Sequence, residues 1–268
     1  DLNGQLHGQH LAKEVVMRTV QEFLQSPRPE KALVLSFHGW SGTGKNFVAR
    51  MVASHLFRDG LKSECVRVFI SLFHFPHRKY VDSYKAQLKK TISETVRFCK
   101  QSMFIFDEAE KLHFGLLDAI KPFMSHTKGQ VDHQRSIFLF LSNLGGNAIN
   151  EVALDFWRAS RAREEISMEL LEEEAPEVCF VLRFVAENDY AHSHLLRENL
   201  IDSLVPFLPL EYHHVKLCAR DAFLARGLPY TEAALDEVAR MMVFVPKEEQ
   251  LFSAQGCKSV SQRINYFL

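Results

Sequence analysis

The stretch Gly39-Trp40-Ser41-Gly42-Thr43-Gly44-Lys45-Asn46 stands between a continuous apolar run, Ala32 to Phe37, and a helical stretch, Phe47 to Phe57. A buried strand feeding a glycine-rich turn and then a helix belongs to few folds. The turn matches G-x-x-x-x-G-K-[ST] except at its last position, where Asn46 replaces Ser or Thr. Its glycines let consecutive backbone N–H groups converge as an anion nest, and the following helix adds the positive end of its dipole. Lys45 brings a mobile charge for the β and γ phosphates, so the ligand this loop implies is a nucleoside triphosphate.

The rest of the chain supplies the sheet such a loop needs. Leu11 to Leu24 has helical apolar spacing and is stopped by Ser26-Pro27-Arg28-Pro29. Val66 to Phe73 reads as a second strand, Val81 to Lys100 as a polar helix, and Met103 to Phe106 and Ile137 to Leu141 as third and fourth strands. Strands alternating with helices predict a doubly wound parallel α/β sheet. Glu164 to Glu177 is acidic and reads as a solvated face. Val205 to Leu210 carries Pro206 and Pro209 and reads as a boundary. Helices expected over His213 to Arg226, Thr231 to Phe244 and Ser259 to Phe267 then make a small C-terminal helical domain, dividing the chain into 1–211 and 212–268.

Two further elements extend the site. The Met103 strand runs into Asp107 and Glu108, a Walker B pattern that delivers two carboxylates to the strand's C-terminal end, where open α/β sheets bind ligands. Asp107 would hold Mg²⁺ through water, and Glu108 would polarise the attacking water. The amide oxygen of Asn46 would take the metal-side place of the usual hydroxyl. Asn143, ending the Ile137 strand, is placed to reach the attacking water or the γ phosphate.

Composition removes other classes. With 32 Lys+Arg against 33 Asp+Glu, there is no basic footprint for nucleic acid. The longest apolar run, Ile137 to Leu141, is far short of a membrane span. No H-E-x-x-H or C-x-x-C pattern suggests zinc, and Cys65, Cys99 and Cys179 read as core or incidental. The 22 Phe promise an aromatic-rich core or a large partner surface.

Together the motifs resemble the AAA+ ATPases, which implies ATP with Mg²⁺. Leu6 to Ala12 looks like the Gly-Gln entry of the Clp type, near the adenine, and Gly256-Cys257-Lys258 stands where those proteins carry a Gly-Ala-Arg sensor 2, so that Lys258 replaces the sensor Arg. His38 to Asn46, Phe73 to His77, Phe207 to Tyr212 and Gly256 to Ser259 resemble the torsins over essentially the whole chain. Phe104 to Lys111 and Ile264 to Leu268 look most like the type-3 members. The resemblance implies an ATPase of the endoplasmic reticulum lumen and perinuclear space, carrying a signal segment at full length. It implies a ring or filament, homo- or hetero-oligomeric, that is nearly inactive alone. The expected activators are the luminal domains of lamina-associated polypeptide 1 and its lumen-facing relative, and the expected work is remodelling of protein complexes.

It also implies a redox-sensitive pair at Cys218 and Cys257. Where Clp-type proteins present an arginine finger, Asn199-Leu200-Ile201-Asp202 has Leu, and Arg197, Arg220 and Arg226 nearby read as solvated or structural. Lys79 to Tyr84 lacks the aromatic-Gly pair of a threading pore loop, and Tyr80 and Tyr84 read as helix-face packing residues. A nucleotide-gated binding module with little turnover is the alternative reading.

Overall fold

The computed structural model describes residues 2–126, 133–174 and 200–267. Glu177, Cys179, His192, His194, Arg197 and Asn199 lie outside them. Strands β1 (Leu33–His38), β2 (Val66–Ile70), β3 (Ser102–Asp107), β4 (Ser136–Ser142) and β5 (Ser203–Pro206) form one sheet in the order β2-β3-β4-β1-β5. Every pairing is parallel, so all five C-terminal ends meet at one edge.

The apolar runs are continuous because both faces are covered. Leu33, Leu35 and Phe37 of β1 join Ile137, Leu139 and Leu141 of β4 beneath helices α1 (His10–Gln25) and α2 (Lys45–Leu56). On the opposite face, α3 (Val81–Phe98) and α4 (Phe114–Met124) pack on a row of phenylalanines. Phe69, Phe106 and Phe140 stack across three adjacent strands at 5.0 and 5.2 Å, and Phe104 stacks on Phe138 at 5.0 Å. Much of the Phe content is therefore a cross-strand ladder in the core. Helices α5 (Gly146–Arg158) and α6 (Met168–Glu174) enclose a further cluster with Leu11 and Phe252.

Past β5, helices α7 (Tyr212–Ala225), α8 (Glu232–Arg240) and α9 (Val260–Arg263) bury Val215, Phe223, Leu235, Val238 and Ile264 in a core of their own. Two short antiparallel strands, β6 (Phe244–Val245) and β7 (Phe252–Ser253), lie between α8 and α9.

Several expectations are corrected. The second strand ends at Ile70, and Ser71–His74 is a helical turn. Strand β3 stops at Asp107 opposite Ile70, and the Ser71 hydroxyl donates to the Asp107 carbonyl at 2.9 Å, so no ladder remains to continue. The proline-bearing stretch, read as a boundary, also holds the end of β5, which pairs with β1 at the sheet edge, where Pro206 forfeits no interior bond. Helix α8 ends at Arg240, short of Phe244, which enters β6. Tyr80 packs only in part: it is 48% exposed, with its ring edge-on to that of Tyr84 at 6.3 Å, and Tyr84 lies against the phenylalanine core. Cys65 and Cys99 are not incidental, because they form a disulfide. Helix α3 returns beside β2 to feed β3, which brings its C-terminal Cys99 to the residue preceding β2.

Candidate functional site

The parallel register sets the phosphate loop, Asp107 and Asn143 side by side at the C-terminal edge of β1, β3 and β4. Within the loop, the Thr43 hydroxyl donates to the Trp40 carbonyl at 2.8 Å. Lys45, only 8% exposed, donates to the carbonyls of Gly39 at 2.7 Å and Trp40 at 2.8 Å, and to Asn143 Oδ1 at 3.0 Å. Burial pulls its pKa from 10.5 down to about 8, the charges of Glu110 and Asp107 oppose that fall, and Lys258 adds to it. Lys258 is thus close enough to act on the ammonium, although it is itself exposed.

Asp107 uses both carboxylate oxygens. Oδ1 accepts from the Glu108 backbone N–H at 2.9 Å, and Oδ2 accepts from Asn46 Nδ2 at 3.1 Å. Asn46 keeps its Oδ1 available, so the pair offers hard oxygen donors suited to Mg²⁺, with no soft ligand beside them. Glu108 takes the left-handed backbone conformation, φ 53°, unusual for a residue with a side chain, and its Oε2 is buried with no partner among the described residues. A buried acceptor in need of a donor, next to oxygen ligands and a lysine-bearing nest, fits a triphosphate with its cation and an attacking water.

Contacts made by Gly8 and Gln9 across the fold hold this arrangement. Gln9, 1% exposed, donates to the carbonyls of Thr43 at 2.8 Å and Leu208 at 2.7 Å and accepts from the Leu208 N–H at 2.8 Å. It ties the phosphate loop to the segment leaving β5. Gly8 in turn accepts from Arg163 Nη2 at 2.7 Å, and Arg163 also pairs with Glu211 at 3.2 Å. His214 lies against Gly8, and its pKa is pushed down to about 2, first by burial and then by Arg163.

The loop Gln255 to Lys258 packs directly on the phosphate loop. The Cys257 N–H donates to the Gly42 carbonyl at 2.9 Å. A Cβ on Gly42 would stand 2.0 Å from the Gln255 carbonyl oxygen, and one on Gly256 would stand 2.2 Å from that of Gly42. Both positions therefore admit glycine only. Cys218 on α7 is disulfide-bonded to Cys257, so the bond anchors this loop to the C-terminal helices.

Glu110 is the site residue that sequence reading missed as a functional group. It follows the Walker B acids in a 3-10 turn, Ala109–Lys111, and its Oε2 accepts from the Asn143 N–H at 3.4 Å. The signal was present as the third acid of the run Asp107 to Glu110, but only the turn at Glu108 aims it at β4. Leu200, at the place comparable to an arginine finger, is buried in the phenylalanine core. Arg220 bonds Asp221, and Arg226 bonds Asn265 and Ser261. No His, Cys, Asp and Glu cluster suited to a metal occurs among the described residues, and no described helix is long and apolar enough to cross a membrane.

The Torsin family model matches residues 1–106, and that of the Torsin-1A C-terminal domain matches 210–267. Torsin-3A of Homo sapiens is 60% identical over 271 residues, a span covering 100% of this chain and 68% of that protein. Torsin-3A of Rattus norvegicus is 56% identical and that of Mus musculus 55%, each over 100% of this chain and over 68% and 70% of the relative. Among solved structures, an S. cerevisiae Hsp104-ADP complex superposes with a TM-score of 0.70 at 20% identity, covering 99% of this chain and 45% of the Hsp104 chain. A closed-state Hsp104 reconstruction with ATPγS and FITC casein gives 0.64 at 19%, with the same coverage. At that identity the likeness is one of fold, the AAA+ arrangement of a parallel sheet, helices and a C-terminal helical region.

Proposed function

The chain belongs to the torsin family of AAA+ proteins, with type-3 relatives along its whole length, and on that premise we propose that it is an ATPase whose site is completed by a partner's arginine. The observation that carries this reading is the convergence of Lys45, Asn143, Asp107 and Glu108 on one sheet edge while the finger position is a buried Leu200. In the proposed roles, the loop from Gly39 to Asn46 binds the phosphates, and Lys45 exchanges its carbonyl partners for phosphate oxygens. Asn46 and Asp107 would hold Mg²⁺, partly through water, and the cation would supply charge neutralisation of the phosphates. Glu108 takes a proton from the attacking water, Asn143 orients that water, and Lys258 faces the γ phosphate as a point charge.

An arginine finger is worth about 10³ to 10⁵ in turnover in related phosphoryl transfers, so the chain alone turns over slowly. The luminal domain of lamina-associated polypeptide 1 or its lumen-facing relative supplies the missing residue, in a ring or filament that remodels protein complexes. Two disulfides support a lumenal, oxidising setting, in the endoplasmic reticulum and perinuclear space. The Cys218 to Cys257 bond would make the Lys258 loop redox-sensitive. The working division is an ATP-binding domain over 1–211 and a small helical domain over 212–268.

Single-turnover hydrolysis with and without that luminal domain tests the reading: acceleration of at least about a thousandfold is expected. Equal rates would sink it. The second reading, a nucleotide-gated binding module, draws on Asn46, whose amide hydrogen already occupies the Asp107 oxygen a metal-bound water needs. Under that reading Glu108→Gln leaves partner binding and nucleotide lifetime unchanged; under the first, it prolongs both.

A further inference from the structure

The 3-10 turn after Walker B is fixed by burial of Ala109 and Leu112 and by the Lys111 N–H donating to the Glu108 carbonyl at 2.8 Å. The left-handed backbone at Glu108 swings the chain out of β3, so that the next residue but one, Glu110, meets the end of β4. A continuous relay results. Glu110 Oε2 accepts from the Asn143 N–H at 3.4 Å, and the Asn143 side-chain oxygen accepts from Lys45 Nζ at 3.0 Å. Of the carboxylates acting on the Lys45 ammonium, Glu110 is the stronger, ahead of Asp107. Asp107 accepts two hydrogen bonds, from Asn46 and the Glu108 N–H, and has a place in holding the cation; Glu110 accepts from the Asn143 N–H and has no such place.

We propose that Glu110 is a positioning and specificity residue of the nucleotide site: it holds Asn143 against Lys45, and its charge biases the site toward ADP over ATP. The inference rests on the ATPase reading above. A γ phosphate held by Lys45 and Asn143 would bring negative charge toward Glu110, which is not among the residues proposed to hold the cation. The diphosphate stops short of that position. A carboxylate here therefore weakens ATP more than ADP, which leaves the site set to release γ phosphate once it is formed.

The test compares the full chain with its E110Q and E110D variants, titrated with ADP and with the non-hydrolysable AMP-PNP in Mg²⁺ buffer at about pH 6.5, where Lys45 keeps its proton in each variant. E110Q keeps an oxygen for the Asn143 N–H and loses the charge, so its AMP-PNP affinity relative to ADP should rise about three- to tenfold. E110D keeps the charge and should keep the wild-type ratio to within about twofold. E110A loses the acceptor that holds Asn143 as well as the charge, so its AMP-PNP affinity should fall below that of E110Q, and equal affinities in the two would overturn the positioning role. A ratio unchanged in both E110Q and E110A overturns the inference, as does a shift in E110D equal to that in E110Q. A wild-type chain that binds neither nucleotide overturns the ATPase reading itself, an outcome distinct from these.

Discussion

Lys45 shows how a single residue links burial to ligand chemistry. Its folded pKa, about 8, lies below the ordinary 10.5, so the cost of burying its charge is present below about pH 8 and is relieved as pH rises past it. Phosphates need the ammonium, so above about pH 8 the amine must take up a proton when ATP binds. Calorimetry at about pH 8.5 in buffers of different ionisation enthalpy should show proton uptake on ATP binding, fading near pH 6.5. Equal uptake at both values would contradict the assignment. The lysine was legible in the sequence because its role depends on a local loop. Glu110 was not, because its contact with Asn143 depends on a left-handed turn at a residue that carries a side chain.

At the scale of elements, the phosphate loop is held by backbone that local pattern does not indicate. The Gln255 to Lys258 loop fits against Gly42 closely enough that neither Gly42 nor Gly256 has room for a Cβ. Gly256 also adopts a positive φ of 50°, so an alanine there adds backbone strain to the clash. Gly256→Ala should cost about 1–3 kcal/mol in denaturant unfolding and weaken ATP binding, because the loop must lift from the Gly42 carbonyl. Unchanged ATP affinity in a folded variant would mean the contact is packing alone. Strand β5 belongs to the same scale. Pro206 in an apolar stretch argues against a strand by local rules, and only its place at the edge beside β1 makes the strand permissible.

For the whole molecule, the two disulfides make a contrast. Cys65 and Cys99, 34 residues apart in sequence, join β2 to the end of α3, on the strand farthest from β1 across β3 and β4. Cys218 and Cys257, 39 residues apart, join α7 to the loop that touches Gly42. Either loss should cost about 2–4 kcal/mol of stability by freeing the unfolded chain. The paired Cys65→Ser and Cys99→Ser change should leave ATP affinity alone, whereas the paired Cys218→Ser and Cys257→Ser change should alter it. Equal effects on affinity, read by titration of both variants, would remove the link between the second bond and the nucleotide site.

The sequence by itself determined the chemistry that depends on neighbours along the chain: a glycine-rich loop between a buried strand and a helix, acids at a strand end, and an apolar pattern that demands a sheet covered on both faces. Tertiary structure alone decided which distant segments complete that site. Gln9 meets Thr43 and Leu208, Cys257 meets Gly42, Glu110 meets Asn143, and Cys65 finds Cys99. The physical reason is the same in each case. Local spacing governs backbone conformation and which face a side chain takes, but contacts across the fold arise when a parallel sheet aligns its strand ends and the helices close over it. No run of residues encodes that alignment on its own.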